Sequence, residues 1–234
     1  MSDVFANPLW ELKEFEDLDG DLKAGKGPVQ VSGCMDSQKV HLMYEAAKET
    51  PWKLVVTGDG TKAQEIYDDF RYFEPNTWLY PAKDLLFYSA DIHGNLMVKQ
   101  RLQVLRHLME DERGVVVTTL DGLMDHLLPL DFFRAQALTV ECGQDLDLEE
   151  WREKLVALGY ERLPQVDGMG QFSIRGGILD IFPLTEEMPV RIELWDTEVD
   201  SIRTFDLESQ RSVEQMDRVT IYPASEMVLT KERI

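Results

Sequence analysis

No apolar run in the 234 residues approaches the ~18–20 needed to cross a bilayer, so the sequence predicts no membrane-spanning helix. Cysteine is scarce. Cys34 and Cys142 stand alone, without metal-ligand spacing, which argues against a disulfide framework and predicts two reduced thiols in a cytoplasm. Basic residues are few as well: 24 Lys and Arg against 44 Asp and Glu leave a net charge of -20. Such a chain lacks the cationic footprint on which non-specific duplex binding rests, and its charge suits protein partners. The opening MSDVFANPLWELKEFEDLDG is acidic, unlike a secretory signal. His41, His93, His107 and His126 form no ligand-spaced pair, and neither a G-x-S-x-G elbow nor a Cys–His pairing occurs. The ending VLTKERI reads as the start of a helix, which predicts a piece of a longer protein.

What is present has the composition of a globular chain, 44% hydrophobic and 29% charged. From Asn7 to about Gly25, Leu9, Leu12, Phe15 and Leu18 recur at helical spacing. VQVSG, WKLVVTG, TWLYP and GVVVTT read as four apolar strands separated by helices, one of them beginning at Ser37 as N-cap. Apolar strands alternating with helices predict an α/β domain with a parallel sheet over residues 1–134.

The pattern changes after that. LDLEEWREKLVALGY predicts a helix capped at Asp147, with Glu150 three residues on. QFSIRGGILDIFP, VRIELWD and EVDSIRTFD alternate apolar and polar residues, as half-buried antiparallel strands do. DTE reads as the turn of a hairpin between the last two. Residues 135–216 are therefore expected to be an α+β insert with a small antiparallel sheet. Residues 217–234, beginning RVTIYPASEMV, are expected to return as a strand to the first sheet.

Two stretches carry candidate chemistry. VSGCMDSQKV nearly spells the phosphate loop G-x-x-x-x-G-K-[ST], in which glycines let backbone amides wrap the phosphates, lysine meets the β/γ-phosphates and Ser/Thr holds magnesium. Gly33 and Lys39 are in place, but Gln38 replaces the second glycine and Val40 the hydroxyl. The stretch is either an ordinary strand-to-helix turn or a vestigial loop, and neither predicts hydrolysis. In the second stretch, Phe172 and Ile174 fall on one face of a strand, Ser173 and Arg175 on the other. Arg191 lies on the polar phase of its strand, and Arg162 just after the preceding helix. These arginines form either a cationic patch for partner carboxylates or ordinary strand residues paired with Glu193, Asp180 or Glu198.

The run GQFSIRGGILDIFPLTEEMPVRIELWDTEVDSIRTFDLESQRS closely resembles the UvrB-like module of the bacterial transcription-repair coupling factors. Its signature is F-x-[IV]-R-G-x-[IL]-[IL]-D-[IL]-F-P, then R-[IV]-E-[LF]-[WF]-D-x-E-[IV], then F-D-x-x-[ST]-Q-R. The excision-repair subunit UvrB shares the module, but it keeps an intact phosphate loop and a tyrosine-rich DNA-gripping hairpin. This chain has only Tyr88 between Phe87 and Leu102.

The resemblance implies a degenerate phosphate-loop domain, without a cofactor of its own, carrying an insert that binds UvrA. Arg175 and Arg162 match family contact positions; Phe172 and Arg191 are further candidates; Ser173 stands where UvrB has a second arginine. It further implies that the ATP- and Mg2+-dependent DNA translocase, and the contacts to RNA polymerase and DNA, belong to other parts of the parent protein. The alternative is a nucleotide-dependent damage-recognition subunit like UvrB. Docking of the sheet onto another part of the same protein is a third reading, compatible with the first.

Overall fold

A computed structural model describes residues 8–83, 91–111, 113–125, 127 and 129–226. The described residues fall into two compact units, one within Met1–Lys83 and Asp111–Asp125, the other within Asp84–Glu110 and His126–Ile234.

The first unit is built on a parallel sheet of β1 (Trp52–Thr57), β2 (Thr77–Tyr80) and β3 (Gly114–Thr119), in the order β1-β3-β2. All six residues of β3 are buried, which explains its unbroken apolar run: a central parallel strand has no solvent face. The helix Gly60–Phe70 starts where the Asp59 carboxylate accepts the Lys62 N–H at 2.8 Å. Its Ala63 and Phe70 pack with Val40, Val115 and Val117 into the core of this unit.

Three expectations need correction here. VQVSG is not a strand. Pro28 has no N–H for a ladder, Gly33 turns the chain at φ 84°, and the residues between them join none of the sheets. Val29 and Val31 instead line a shallow groove with Leu12 and Phe15. The helix expected to begin at Ser37 runs Asp36–Ala46 with Met35 as its N-cap, so Ser37 lies inside it. The expected N-terminal helix is interrupted at Glu11 and Leu12: residues 8–10 are helical, the longer helix runs Lys13–Lys23, and Asn7 lies outside the described residues.

The second unit holds a six-stranded sheet, β10-β9-β8-β7-β6-β5 in order. The strands are β5 (Glu161–Arg162), β6 (Gln171–Arg175), β7 (Ile178–Ile181), β8 (Val190–Trp195), β9 (Glu198–Phe205) and β10 (Ser212–Met216). All neighbours are antiparallel except β5 and β6. The expected β8–β9 hairpin is present, Trp195 opposite Glu198. One face of the sheet carries Phe172, Leu179, Ile181, Ile192 and Ile202. They pack against Trp151, Leu155 and Leu158 of the helix region around Leu148–Ala157, which Asp147 caps through the Glu149 and Glu150 amides. On the opposite face Val166, Phe182 and Phe205 form a smaller cluster.

The return strand goes elsewhere than expected. β11 (Arg218–Ile221) pairs antiparallel with β4 (Leu138–Glu141), a strand the periodicity analysis passed over, rather than with the parallel sheet. Residues 227–234 lie outside the described part. The helix Asp91–Glu110, expected in the first unit, groups with the second: Leu102 and Leu105 pack on Phe133, Leu184 and Tyr222. Contacts thus place the boundaries differently from the expected 134 and 216. The reason is chemical. Arg101 makes a buried ion pair with Glu226, and the Tyr222 hydroxyl donates to Glu110 at 2.7 Å, which binds the helix to the segment after β11.

Candidate functional site

The degenerate loop ends in the first turn of the helix Asp36–Ala46, where a nucleotide's phosphates would meet free amides. Here the Met35, Gln38 and Lys39 amides are engaged internally. The Gln38 side chain reaches back so that its Oε1 accepts the Met35 N–H at 3.1 Å. The residue replacing the second glycine therefore fills part of the site with an acceptor of its own. Lys39 Nζ lies 2.9 Å from Asp36 Oδ1, and Lys62 Nζ lies 3.0 Å from Oδ2. Both lysines thus reach one carboxylate of the chain, and Lys62 also meets Glu65 at 3.0 Å. Hydrogen bonding to Lys39, then to Lys62, holds the Asp36 carboxyl down to about 2. Val40, in place of the magnesium-binding hydroxyl, is buried in the core. A carboxylate and an amide oxygen at this position repel a phosphate, so the residues present do not fit a magnesium nucleotide.

No group of three His, Cys, Asp or Glu among the described residues is placed to hold a metal, and no helix among them is long and apolar enough to cross a membrane. His41 stacks on Phe73 at 5.5 Å. His126, Tyr88 and the side chain of His93 lie outside the described residues. Cys34 and Cys142 are unbridged.

The four candidate residues of the second unit fare differently from one another. They sort by what the sheet does to each. Phe172 is fully buried, opposite Ile181 in the core, and offers no surface to a partner. This corrects the expectation that it is a contact, and alternation had already placed it on the apolar face with Ile174.

Arg191 is also corrected. Its side chain is only 14% exposed and forks onto Asp180, with Nε to Oδ1 at 2.6 Å and Nη2 to Oδ2 at 2.9 Å. Its guanidinium lies 4.5 Å over the Phe205 ring, and Nη1 donates to the Gln210 carbonyl. Register is the cause: Arg191 stands directly opposite Asp180 across the β7–β8 ladder. The hydrogen bond to Asp180 raises its already high pKa.

Arg175 shares the same carboxylate, with Nη2 2.8 Å from Oδ2, yet its side chain remains 48% exposed. Asp180 itself is 1% exposed. A buried anion thus holds Arg191 within the sheet and steers Arg175 at its surface, leaving the other edge of that fork to solvent. Arg162, on the edge strand β5, is exposed and makes no ion pair or hydrogen bond among the described residues. It stands in register with Phe172, so alternation sends it out on the face opposite that of Arg175. The two therefore do not form one patch.

Ser173 explains a missing charge. Its buried hydroxyl donates to the Pro164 carbonyl at 2.8 Å beneath the loop that follows β5, so an arginine there would have to displace that loop. Beside the Asp180 cluster, Arg203 pairs with Glu193, which the sequence had offered as a partner for the strand arginines. The residue that local reasoning underweighted is Asp180, which appeared only as one of three possible counter-ions. Its position opposite Arg191 is set by the β7–β8 register, which no local pattern contains.

Residues 138–227 match the family described as UvrB interaction domain. A transcription-repair-coupling factor of Staphylococcus epidermidis is 35% identical over 237 residues, covering all of this chain and 20% of the relative. One from Staphylococcus aureus is 34% identical over 234 residues, 99% of this chain and 20% of the relative. The chain spans about one fifth of the length of these curated relatives.

Proposed function

We propose, from the match of residues 138–227 to the family described as UvrB interaction domain and the end-to-end similarity of the chain to transcription-repair-coupling factors, that the chain is a docking module for UvrA in transcription-coupled nucleotide excision repair. It acts by contact and performs no nucleotide chemistry of its own. The observation that carries this reading is the half-exposed Arg175, set on a rigid strand and oriented by the buried Asp180, inside the matched segment. A guanidinium held this way has little conformational freedom left to lose and presents free N–H groups to a carboxylate. Arg162 at the adjoining edge adds a second exposed cation.

In this reading the first unit is a scaffold. Its phosphate loop is closed by Gln38, Asp36 and Val40, which argues against the UvrB-like alternative. The ATP- and Mg2+-dependent DNA translocase, and the contacts to RNA polymerase and DNA, are assigned to the four-fifths of the relatives that this chain does not span.

Titrating purified UvrA against the labelled chain tests the proposal. Saturable binding that Arg175→Glu weakens by about 100-fold is expected, equivalent to about 2–3 kcal/mol at a desolvated charge pair. Undiminished binding by that variant, with its fold confirmed by circular dichroism, counts against the assignment. Calorimetric titration of the chain alone with Mg-ATP is expected to give no heat of binding, and a measurable stoichiometric heat would restore the UvrB-like alternative.

A further inference from the structure

The β8–β9 hairpin ends beside the β6–β7 turn, at the end of the sheet where Arg175 lies. Leu194 N–H donates to the Gly177 carbonyl at 2.8 Å, and Arg175, Ile178 and Glu193 stand side by side across β6, β7 and β8. Gly177 is required by this approach, since a Cβ there would sit 3.0 Å from the Leu194 carbonyl oxygen. Leu194 packs toward the core, so alternation puts Trp195 on the other face, that of Glu193 and Arg175. Trp195 is 81% exposed.

A large indole left in water at a hairpin tip is unusual, and this tip is held in place. Asp196 turns the chain through the left-handed region at φ 60°. The Thr197 carbonyl accepts the Leu146 N–H at 2.8 Å, and the Thr197 hydroxyl meets Asp145 Oδ1 at 2.9 Å. Gly143 N–H donates to the Val199 carbonyl at 2.8 Å on the same hairpin. The indole is therefore carried on a strand end fixed from both sides.

We propose that Trp195 is the aromatic anchor of the docking surface, seated with Arg175 in one contact at the turn end of the six-stranded sheet. The inference rests on the reading of the chain as a UvrA-docking module and names where that docking is centred. Tryptophan and arginine are the side chains that most often dominate protein interfaces, because each combines a large apolar surface with donors. The surroundings define the matching chemistry. Asp196 and Glu198, exposed at the hairpin tip, give an acidic rim, while Arg175 gives one cation. The complementary surface on UvrA is an apolar pocket for the indole, a carboxylate beside it for Arg175, and basic residues around the rim.

Binding of UvrA to the wild-type chain, Trp195→Ala, Trp195→Phe and Arg175→Glu, with the melting temperature of each, tests this. Trp195→Ala is expected to weaken binding by at least tenfold with an unchanged melting temperature, since the indole supports nothing in the free chain. Trp195→Phe should recover most of the loss. If Arg175→Glu weakens binding while Trp195→Ala binds as wild type, the anchor is wrong and the docking reading stands. If the wild-type chain does not bind UvrA, both fall. If Trp195→Ala instead abolishes self-association seen by sedimentation and leaves UvrA binding intact, the indole serves a second copy of the chain and the proposal is overturned.

Discussion

The two units solve the same electrostatic problem in opposite surroundings. In each, one aspartate lies between two cations: Asp36 between Lys39 and Lys62 in the degenerate loop, and Asp180 between Arg175 and Arg191 in the sheet. Asp36 is bathed in solvent, so its pairs are screened and hold little energy. Asp180 is buried, and removing either its charge or its main partner leaves an uncompensated group inside the fold. The exposed triad occupies the degenerate phosphate loop, and the buried one underlies the docking surface proposed above. Burial, not the choice of residues, decides which of the two has consequences.

The comparison is sharpened first by mutating what lies beneath Arg175. Phe172→Ala is expected to cost about 3–5 kcal/mol of stability in urea denaturation, as a fully buried ring should, with UvrA affinity per folded molecule retained. Asp180→Asn comes next, at about 3 kcal/mol, because Arg191 loses its buried counter-ion. The corresponding Asp36→Asn is expected to leave the urea midpoint unchanged within error. Equal effects of the two aspartate variants would remove the contrast.

The smallest effect is one of pH. The Asp36 carboxyl is depressed in the folded chain, to about 2. Its contribution, small because the site is exposed, is present above the unfolded carboxylate value and is lost as pH falls through about 2. An NMR titration should place the Asp36 midpoint near 2 in the wild type, and Lys39→Ala should move it up toward ordinary carboxylates. An unmoved midpoint would mean that the lysine is not what holds it.

Much of this was legible in the chain. Asp147 stands where its helix must start, and alternation in EVDSIRTF and VRIELW carried the hairpin. Phe172 shows local physics outranking analogy, since alternation put it inside while family resemblance put it at a contact. Arg191 shows the reverse limit. Its phase was polar, yet it faces Asp180 only because of the β7–β8 register, which no local pattern contains. VQVSG looked like a strand because apolar residues alternate in it, but Pro28 and Gly33 deny it a ladder. β4 was missed because four residues between a helix and a turn carry too little periodicity to stand out, and its partner lies about 80 residues downstream.

The most direct test sets the two triads against each other in one UvrA-binding experiment, with matched charge reversals Arg175→Glu and Lys39→Glu. A loss of about 100-fold for the first and wild-type affinity for the second is the predicted result. Wild-type affinity for Arg175→Glu, or an equal loss for Lys39→Glu, would contradict the assignment of docking to the arginine sheet.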